Sequence, residues 1–210
     1  MHGKTTLTEL KSREREARKS LIIEAAERVF AIKPHDKVSM REIADEAGIA
    51  TSSIYTYFPN QESLFVEATL HETGDLVKKL NKIVETTTDD EMVYQVINEF
   101  IDFIAKNDSY FRMMVQFMTQ GNLSEESVEK LNTVMRKGLD AFDPLFKDIE
   151  YNGNMRHFSH LMFSALNGIL VTFKKMPGRT EDEACRHMKD IGKVFAAMII
   201  NMKKTYSLSG

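Results

Sequence analysis

One cysteine in 210 residues, Cys185, cannot close a disulfide within the chain, so internal cross-links are excluded as a source of stability. Long apolar runs are missing too. The longest, Leu161 to Phe173, contains Ser164 and Asn167 and falls short of the roughly 20 residues that a bilayer-spanning helix needs. The leading MHGKTTLTELKSRERE is polar and lacks the apolar stretch of a secretory signal. These absences predict a cytoplasmic chain with no membrane partner. Charge of one sign is also lacking: 28 Lys and Arg stand against 31 Asp and Glu, a net charge of −3, so overall charge assigns no partner.

Catalytic and metal-binding patterns are absent as well. Gly3-Lys4-Thr5 imitates the end of a phosphate-binding loop, but the upstream glycine and strand have no room so close to Met1. There is no G-x-S-x-G nucleophile elbow. His157 and His160 on one helix, with Cys185 and His187 on the next, could in principle gather a soft metal, but no fixed motif sets those spacings. The sequence therefore predicts no enzyme, no metal and no cofactor.

What is present is helical. Hydrophobic residues make up 42% and charged ones 28%, enough for a buried core. Apolar residues recur at helical spacing almost throughout, and no strand pattern, repeat or low-complexity tract competes. A first helix carries Leu21, Ile22, Ala25, Val29 and Phe30 and ends at Lys33, before Pro34. Ser39 and Glu42 form an S-x-x-E capping box that starts a second helix, Gly48 supplies a positive-φ exit, and Ile49 plugs the turn. A third helix from about Thr51 to Tyr57 turns Ile54 and Phe58 inward and Ser52, Ser53, Tyr55 and Thr56 outward. Pro59 closes it and Asn60 caps the next. Two short helices around a glycine turn are a DNA-reading arrangement.

This stretch resembles the DNA-binding domain of the TetR family of bacterial transcriptional regulators. LIIEAAERVFAIK, REIADEAGI and SIYTYFPNQESLF carry the resemblance, which covers roughly Ser12 to Leu70. It implies an all-α dimer of about nine helices, with a three-helix helix-turn-helix domain at residues 1–59 and a larger ligand-binding and dimerisation domain at 60–210. It further implies a double-stranded DNA operator, a homodimer and, most often in the family, a repressor released by a small ligand. Carried over residue by residue, Arg41 matches a position that often reaches a guanine edge, and Tyr55, Thr56 and Tyr57 match base and phosphate contacts. Thr51, Ser52 and Ser53 complete the expected reading face. Two departures stand out. Pro34-His35-Asp36-Lys37 replaces a turn that usually holds glycine, and Gln61 takes the place of the usual phosphate-binding lysine at the next helix start.

No charged side chain occurs from Ile49 to Gln61, so base reading there must rest on hydroxyls, phenols and apolar contacts to thymine methyls. Lys4, Lys11, Arg13, Arg15, Arg18 and Lys19 outnumber Glu9, Glu14 and Glu16 in the leading segment. That segment reads equally as a phosphate-facing surface or as a solvated helix face.

Beyond Asn60 a long helix carries Leu64, Ala68, Leu76, Leu80 and Ile83, a rod joining the reader to the rest. Thr88 with Glu91, and Thr180 with Glu183, predict two further capping boxes. The middle helices carry Val93, Val96, Ile97, Phe100 and Ile104; then Phe111, Met114, Phe117 and Met118; then Val128, Leu131, Met135, Leu139 and Phe142, with a break near Pro144 and another at Glu150 to Asn154. Phe100, Phe103, Phe111, Met114, Met118, Met135 and Phe142 are candidate walls for a small lipophilic ligand, with Tyr94, Tyr110, Gln116, His157 and Asn167 as candidate polar anchors. Plain core packing explains the same residues equally well. On the last two helices, Met188, Ile191, Phe195, Met198 and Met202 form a seam, while Ser164 with Gly168 and Gly192 with Ala196 allow close helix approach. The resemblance makes Ser164, Gly168, Met188, Gly192, Phe195 and Ala196 a dimer interface; an intramolecular core is the other reading.

Overall fold

The computed structural model describes residues 6–119, 123–147, 149 and 153–207. Lys4 and residues 150–152 of the expected break lie outside the described residues, as does the side chain of Met118. Nine α-helices and no strand are found among the described residues: α1 (Leu7–Ile32), α2 (Met40–Ala47), α3 (Thr51–Ile54), α4 (Gln61–Thr86), α5 (Asp89–Lys106), α6 (Asp108–Thr119), α7 (Glu125–Asp140), α8 (Arg156–Phe173) and α9 (Glu181–Ser207).

Local chemistry sets most boundaries. The hydroxyl of Ser39 accepts from the amide of Glu42 at 3.2 Å, and Glu42 Oε2 accepts from the Ser39 amide at 2.9 Å, so α2 starts on a full capping box. Thr180 and Glu183 form the same box for α9. A third, Thr6 with Glu9, starts α1 on a T-x-x-E pattern. Thr88 does not cap α5. Asp89, the first residue of α5, sits at φ 56° in the left-handed region, a geometry unlike that of the capping boxes at α2 and α9; Thr87 donates to Gln95 at 3.2 Å. Gly48 leaves α2 at φ 68°, in the left-handed region that favours glycine.

Regular α-helix in α3 stops at Ile54, short of the expected Tyr57. The chain continues to Phe58 in tighter turns, with Thr56 N–H on Ser53 O at 3.2 Å and Tyr57 N–H on Ile54 O at 2.9 Å. Leu21 is exposed rather than inward. The buried stripe of α1 is centred on Ile22, Ala26 and Phe30, and Leu21 falls off it on the side of Leu10. Val128 is likewise exposed, because α7 buries the stripe Ser127, Leu131 and Leu139.

Two apolar cores result. The first gathers Ile22, Ala26 and Phe30 from α1, Ile43 and Ala44 from α2, Ile54, Phe58, and Leu64, Phe65 and Ala68 from α4; Met113 of α6 also enters it. The second is built around α5, with Leu76 and Leu80 of α4 and inward faces of α6, α7, α8 and α9. Helix α4 thus supplies side chains to both. At about 0.8 kcal/mol per buried methylene, neither end of α4 can shift without disturbing a packed core.

Candidate nucleic-acid interface and sensor core

On the reader, Arg41, Ser52, Ser53, Tyr55 and Thr56 are exposed, while Thr51, Tyr57 and Gln61 are half-buried. The Arg41 side chain is 81% exposed and lies only 3.9 Å from Asp45, a loose surface pair that leaves it able to reach outward. The turn beside it is anchored. Lys33 pairs with Glu42, and this hydrogen bond, with those from Ser39, holds the Glu42 carboxyl down at about 2. The guanidinium of Arg15 lies 5.6 Å from the Tyr57 ring centre, which brings one cation of the leading helix to the edge of the reading face. Lys19 pairs with Glu67 at 3.1 Å. Gln61 departs from a phosphate-facing geometry: its Nε2 is buried without a hydrogen-bond partner. A phosphate at this helix start would therefore meet backbone amides first.

Polar links tie the reader to the larger part. The backbone amide and hydroxyl of Ser124, at the start of α7, both donate to Glu62 Oε1 near the start of α4, at 2.8 and 2.6 Å. A cavity of about 240 Å³ lies beside this contact, lined by Lys19, Tyr57, Glu62, Glu67, Ser124 and Lys130 among others. Between α1 and α4, His71 Nδ1 lies 2.8 Å from Glu27 Oε1; burial raises the Glu27 carboxyl to about 7 against the opposing hydrogen bond. Glu72 is raised by burial as well, with Ser109 of α6 donating to it. Sequence patterns gave no sign of these links, because each joins residues far apart in the chain.

Of the candidate ligand walls, Phe100, Phe103, Met114 and Phe142 are buried in the second core. Phe100 meets Phe142 with ring centres 5.9 Å apart, and Phe103 meets Tyr110 edge-on at 5.7 Å. Phe111 is half-buried and lines a separate cavity of about 290 Å³ with Phe30, Lys33, Pro34 and Val115, against the end of α1. Met135 is only partly buried and stands apart from the packed cluster, since Leu131 and Leu139 take the inward positions of α7. The structure thus buries four of the walls in one core, packs Phe111 against its edge, where Lys174 lies 5.1 Å from the ring centre, and sets Met135 to the side.

A cation that sequence reasoning missed closes this core. Lys174, with 4% of its side chain exposed, donates to the carbonyls of Ile104 and Ala105 at 2.6 and 2.8 Å and pairs with Asp108 at 2.8 Å. It satisfies the carbonyl end of α5, where a positive charge is favoured. Burial lowers the Lys174 amine, and Asp108 opposes that; burial pushes Asp108 up, but Lys174 and Lys175 outweigh it and hold the carboxyl at about 2. Cys185 is partly buried with its thiol 3.8 Å from Asp102, and no cluster of metal ligands occurs among the described residues.

The expected dimer residues divide. Met188, Gly192 and Ala196 are buried inside the chain, and a Cβ built on Gly192 would lie 2.8 Å from Ile101 Cδ1 and 3.0 Å from Ile97 Cγ2. The close helix approach at Gly192 is therefore to α5 of the same chain. These three are corrected from a dimer seam to an internal one. Ser164 and Gly168 are exposed and Phe195 is half-buried. Around them α8 and α9 present Leu161, Val171, Val194 and Met198 at 62, 53, 61 and 64% exposure.

Residues 22–68 match the family model described as bacterial regulatory proteins, tetR family. Over 136 residues the chain is 25% identical to the fatty acid metabolism regulator protein of Bacillus subtilis, spanning 64% of this chain and 69% of that one. Over 103 residues it is 26% identical to the HTH-type transcriptional activator FasR of Mycolicibacterium smegmatis, 49% of this chain and 47% of that one. The transcriptional regulator FadR from Bacillus subtilis, solved in complex with stearoyl-CoA, aligns with a TM-score of 0.74 at 18% identity over 87% of this chain and 98% of that one. FadR from Bacillus halodurans aligns with a TM-score of 0.73 at 20% identity over 87% and 94%. At such identities the structural likeness speaks for the fold alone.

Proposed function

We propose that this chain, which belongs to the TetR family of bacterial regulatory proteins, is a homodimeric DNA-binding repressor that a small lipophilic ligand, of the long-chain acyl thioester class, releases from a palindromic operator. Residues 1–59 with the start of α4 form the reader, and the remainder forms the sensing and dimerising unit. Arg41, Tyr55 and Thr56 contact base edges, Ser52 and Ser53 adapt to them through hydroxyls, and Thr51, Tyr57 and the amides at the start of α4 meet phosphates. No described helix is long and apolar enough to cross a membrane.

The observation that carries this reading is the double duty of α4, which packs Leu64 and Phe65 in one core and Leu76 and Leu80 in the other. A ligand that opens a space among Phe100, Phe103, Met114 and Phe142 must displace neighbours of α4, and the displacement reaches the reader through the same helix. The ligand shifts the population only as far as it prefers the DNA-incompetent arrangement. The ligand class draws support from the sequence match to a fatty acid metabolism regulator and from the aromatic and methionine content of the second core. The exposed apolar face of α8 and α9 around Ser164 and Gly168 supports a second copy as the dimer partner.

A test is direct. DNA recovered from a randomised library by binding to the protein is labelled, and its affinity is followed by fluorescence anisotropy while palmitoyl-CoA is added. Weakened DNA binding with a raised melting temperature supports the reading. Unchanged values across a series of chain lengths remove the thioester. The tight packing of the four wall residues then favours the second reading, a DNA-binding regulator controlled by a protein partner.

A further inference from the structure

We propose that Asn167 selects the ligand by accepting a hydrogen bond from a hydroxyl carried on its hydrocarbon chain, an inference that rests on the lipophilic-ligand reading. The residue lies on α8, is 6% exposed, and donates from Nδ2 to the carbonyl of Phe163 at 2.8 Å. Its Oδ1 is buried and has no hydrogen-bond partner among the described residues. Buried polar atoms in folded proteins are satisfied in the great majority of cases, so an orphan acceptor in an apolar core calls for a partner from elsewhere. Turning the amide over does not remove it. Oδ1 would then face the Phe163 carbonyl, acceptor against acceptor, and the one bond present would be lost.

The place of the orphan fits a sensing role. Phe163, Asn167, Leu170 and Lys174 follow one another along one stripe of α8 at helical spacing. At one end of that stripe the Phe163 ring meets Phe100 with centres 6.5 Å apart, and at the other Lys174 reaches the carbonyls of Ile104 and Ala105. Asn167 therefore stands beside α5 between the levels of Phe100, one of the wall residues, and Ile104. A leucine at this position would fill the same space with no unsatisfied atom, so the amide brings nothing to packing that an apolar residue would not.

Chemistry narrows the partner. An accepting oxygen takes an O–H or N–H, which a plain alkyl chain and an ionised carboxylate both lack. The amides of a CoA arm each bring a carbonyl that would need a second protein donor, and its hydroxyls sit at the polar end of the ligand, away from the hydrocarbon chain that an apolar core takes up. Lys174 is already engaged by two carbonyls and Asp108, and the other unpartnered buried side-chain atom among the described residues, Gln61 Nε2, belongs to the start of α4 beside the reader. A hydroxyl is satisfied by donating once. The fitting class is thus a hydroxylated long-chain acyl group.

The experiment measures, by titration calorimetry, the affinities of wild type, Asn167→Leu and Asn167→Ala for palmitoyl-CoA and for a series of hydroxypalmitoyl-CoA thioesters with the hydroxyl at successive carbons. Wild type is expected to bind one hydroxy isomer roughly tenfold more tightly than palmitoyl-CoA, the worth of one buried hydrogen bond. Both variants are expected to lose that preference while still binding palmitoyl-CoA, and Asn167→Leu without ligand should melt no lower than wild type. Equal affinity of wild type for all isomers, or a preference that survives both substitutions, overturns the role of Asn167 alone. If wild type binds no thioester of either kind, the ligand class fails and the inference falls with it.

Discussion

The reader and the sensing unit are held together by different means. In the reader, the turns between its packed helices are set by neighbours in sequence: Ser39 caps with Glu42, Gly48 turns at φ 68°, Asn60 Oδ1 accepts from the Ser63 amide at 2.8 Å, and Pro59 ends the preceding turn. In the sensing unit, contacts that close the structure span long stretches of chain. Lys174 reaches back to Ile104, Lys204 pairs with Asp90 at 3.1 Å, and Gly192 admits Ile97 and Ile101. A region defined by local punctuation keeps its shape when its surroundings change. One closed by distant side chains can rearrange as a unit, which suits the proposed response to a ligand.

The largest expected effect tests that contrast at its centre. Lys174→Ala leaves the Ile104 and Ala105 carbonyls without their amine and Asp108 with Lys175 alone. Breaking a buried pair costs about 3–5 kcal/mol; with Asp108 43% exposed, roughly 3 kcal/mol is expected. Urea unfolding should show the loss, and hydrogen exchange should place it in α5, α6 and α8 while α2 stays protected. A loss spread evenly over both cores would erase the distinction between them.

Gly192→Leu and Gly168→Leu form a matched pair on the last two helices. The first drives a branched side chain into Ile97 and Ile101 and should cost about 1–3 kcal/mol by overpacking, whatever the protein concentration. The second has open space around its Cβ within the chain, so its effect should appear in association and not in the fold of one chain. Sedimentation at several concentrations separates the two. If Gly192→Leu dissociates the protein without lowering its melting temperature, the internal seam is misassigned.

On the reader, Arg41→Ala should weaken binding to the selected DNA by about 1–3 kcal/mol and leave stability within about 0.5 kcal/mol, because the side chain is exposed and its pair with Asp45 is loose. Equal weakening for selected and random DNA would make Arg41 a phosphate contact instead of a base reader.

How much of this was legible follows the same division. The reader could be read nearly whole, since capping boxes, a turn glycine and a proline are patterns of three or four residues; Ile54 and Phe58 were placed inward and are buried. Past the reader, the same kind of pattern can mislead. Thr88 with Glu91 has the right letters, but Asp89 takes a positive φ and the Thr88 side chain does not cap. In the sensing unit, periodicity gave the helices and most inward residues, yet it could not say which helix a face meets. Gly192 marked a close approach, and Ile97 and Ile101 of α5 in the same chain are what approach it. Lys174 was invisible for a related reason: a lysine beside Lys175 at a helix end reads as solvated, and its burial depends on carbonyls about seventy residues earlier.

A modest expected effect on stability bears on how the two regions communicate. Ser124 joins them through one carboxylate oxygen of Glu62, next to Gln61 and two residues past the Asn60 cap. Its hydroxyl also caps α7, accepting from the Ser127 amide at 3.4 Å. Ser124→Ala keeps the backbone N–H bond to Glu62 and removes the hydroxyl bond and the cap, so about 1 kcal/mol of stability should be lost. Its consequence for coupling is the more telling measurement. If the α7 to α4 contact carries part of the response, the factor by which palmitoyl-CoA weakens DNA binding should fall, while the affinity of the DNA-free protein for palmitoyl-CoA stays the same. Because coupling is reciprocal, DNA should lose its effect on ligand affinity by the same factor. Measuring both arms in the variant and in wild type shows whether they change together. Unchanged coupling in both would leave α4 itself as the path between the cores and reduce Ser124 to a helix cap.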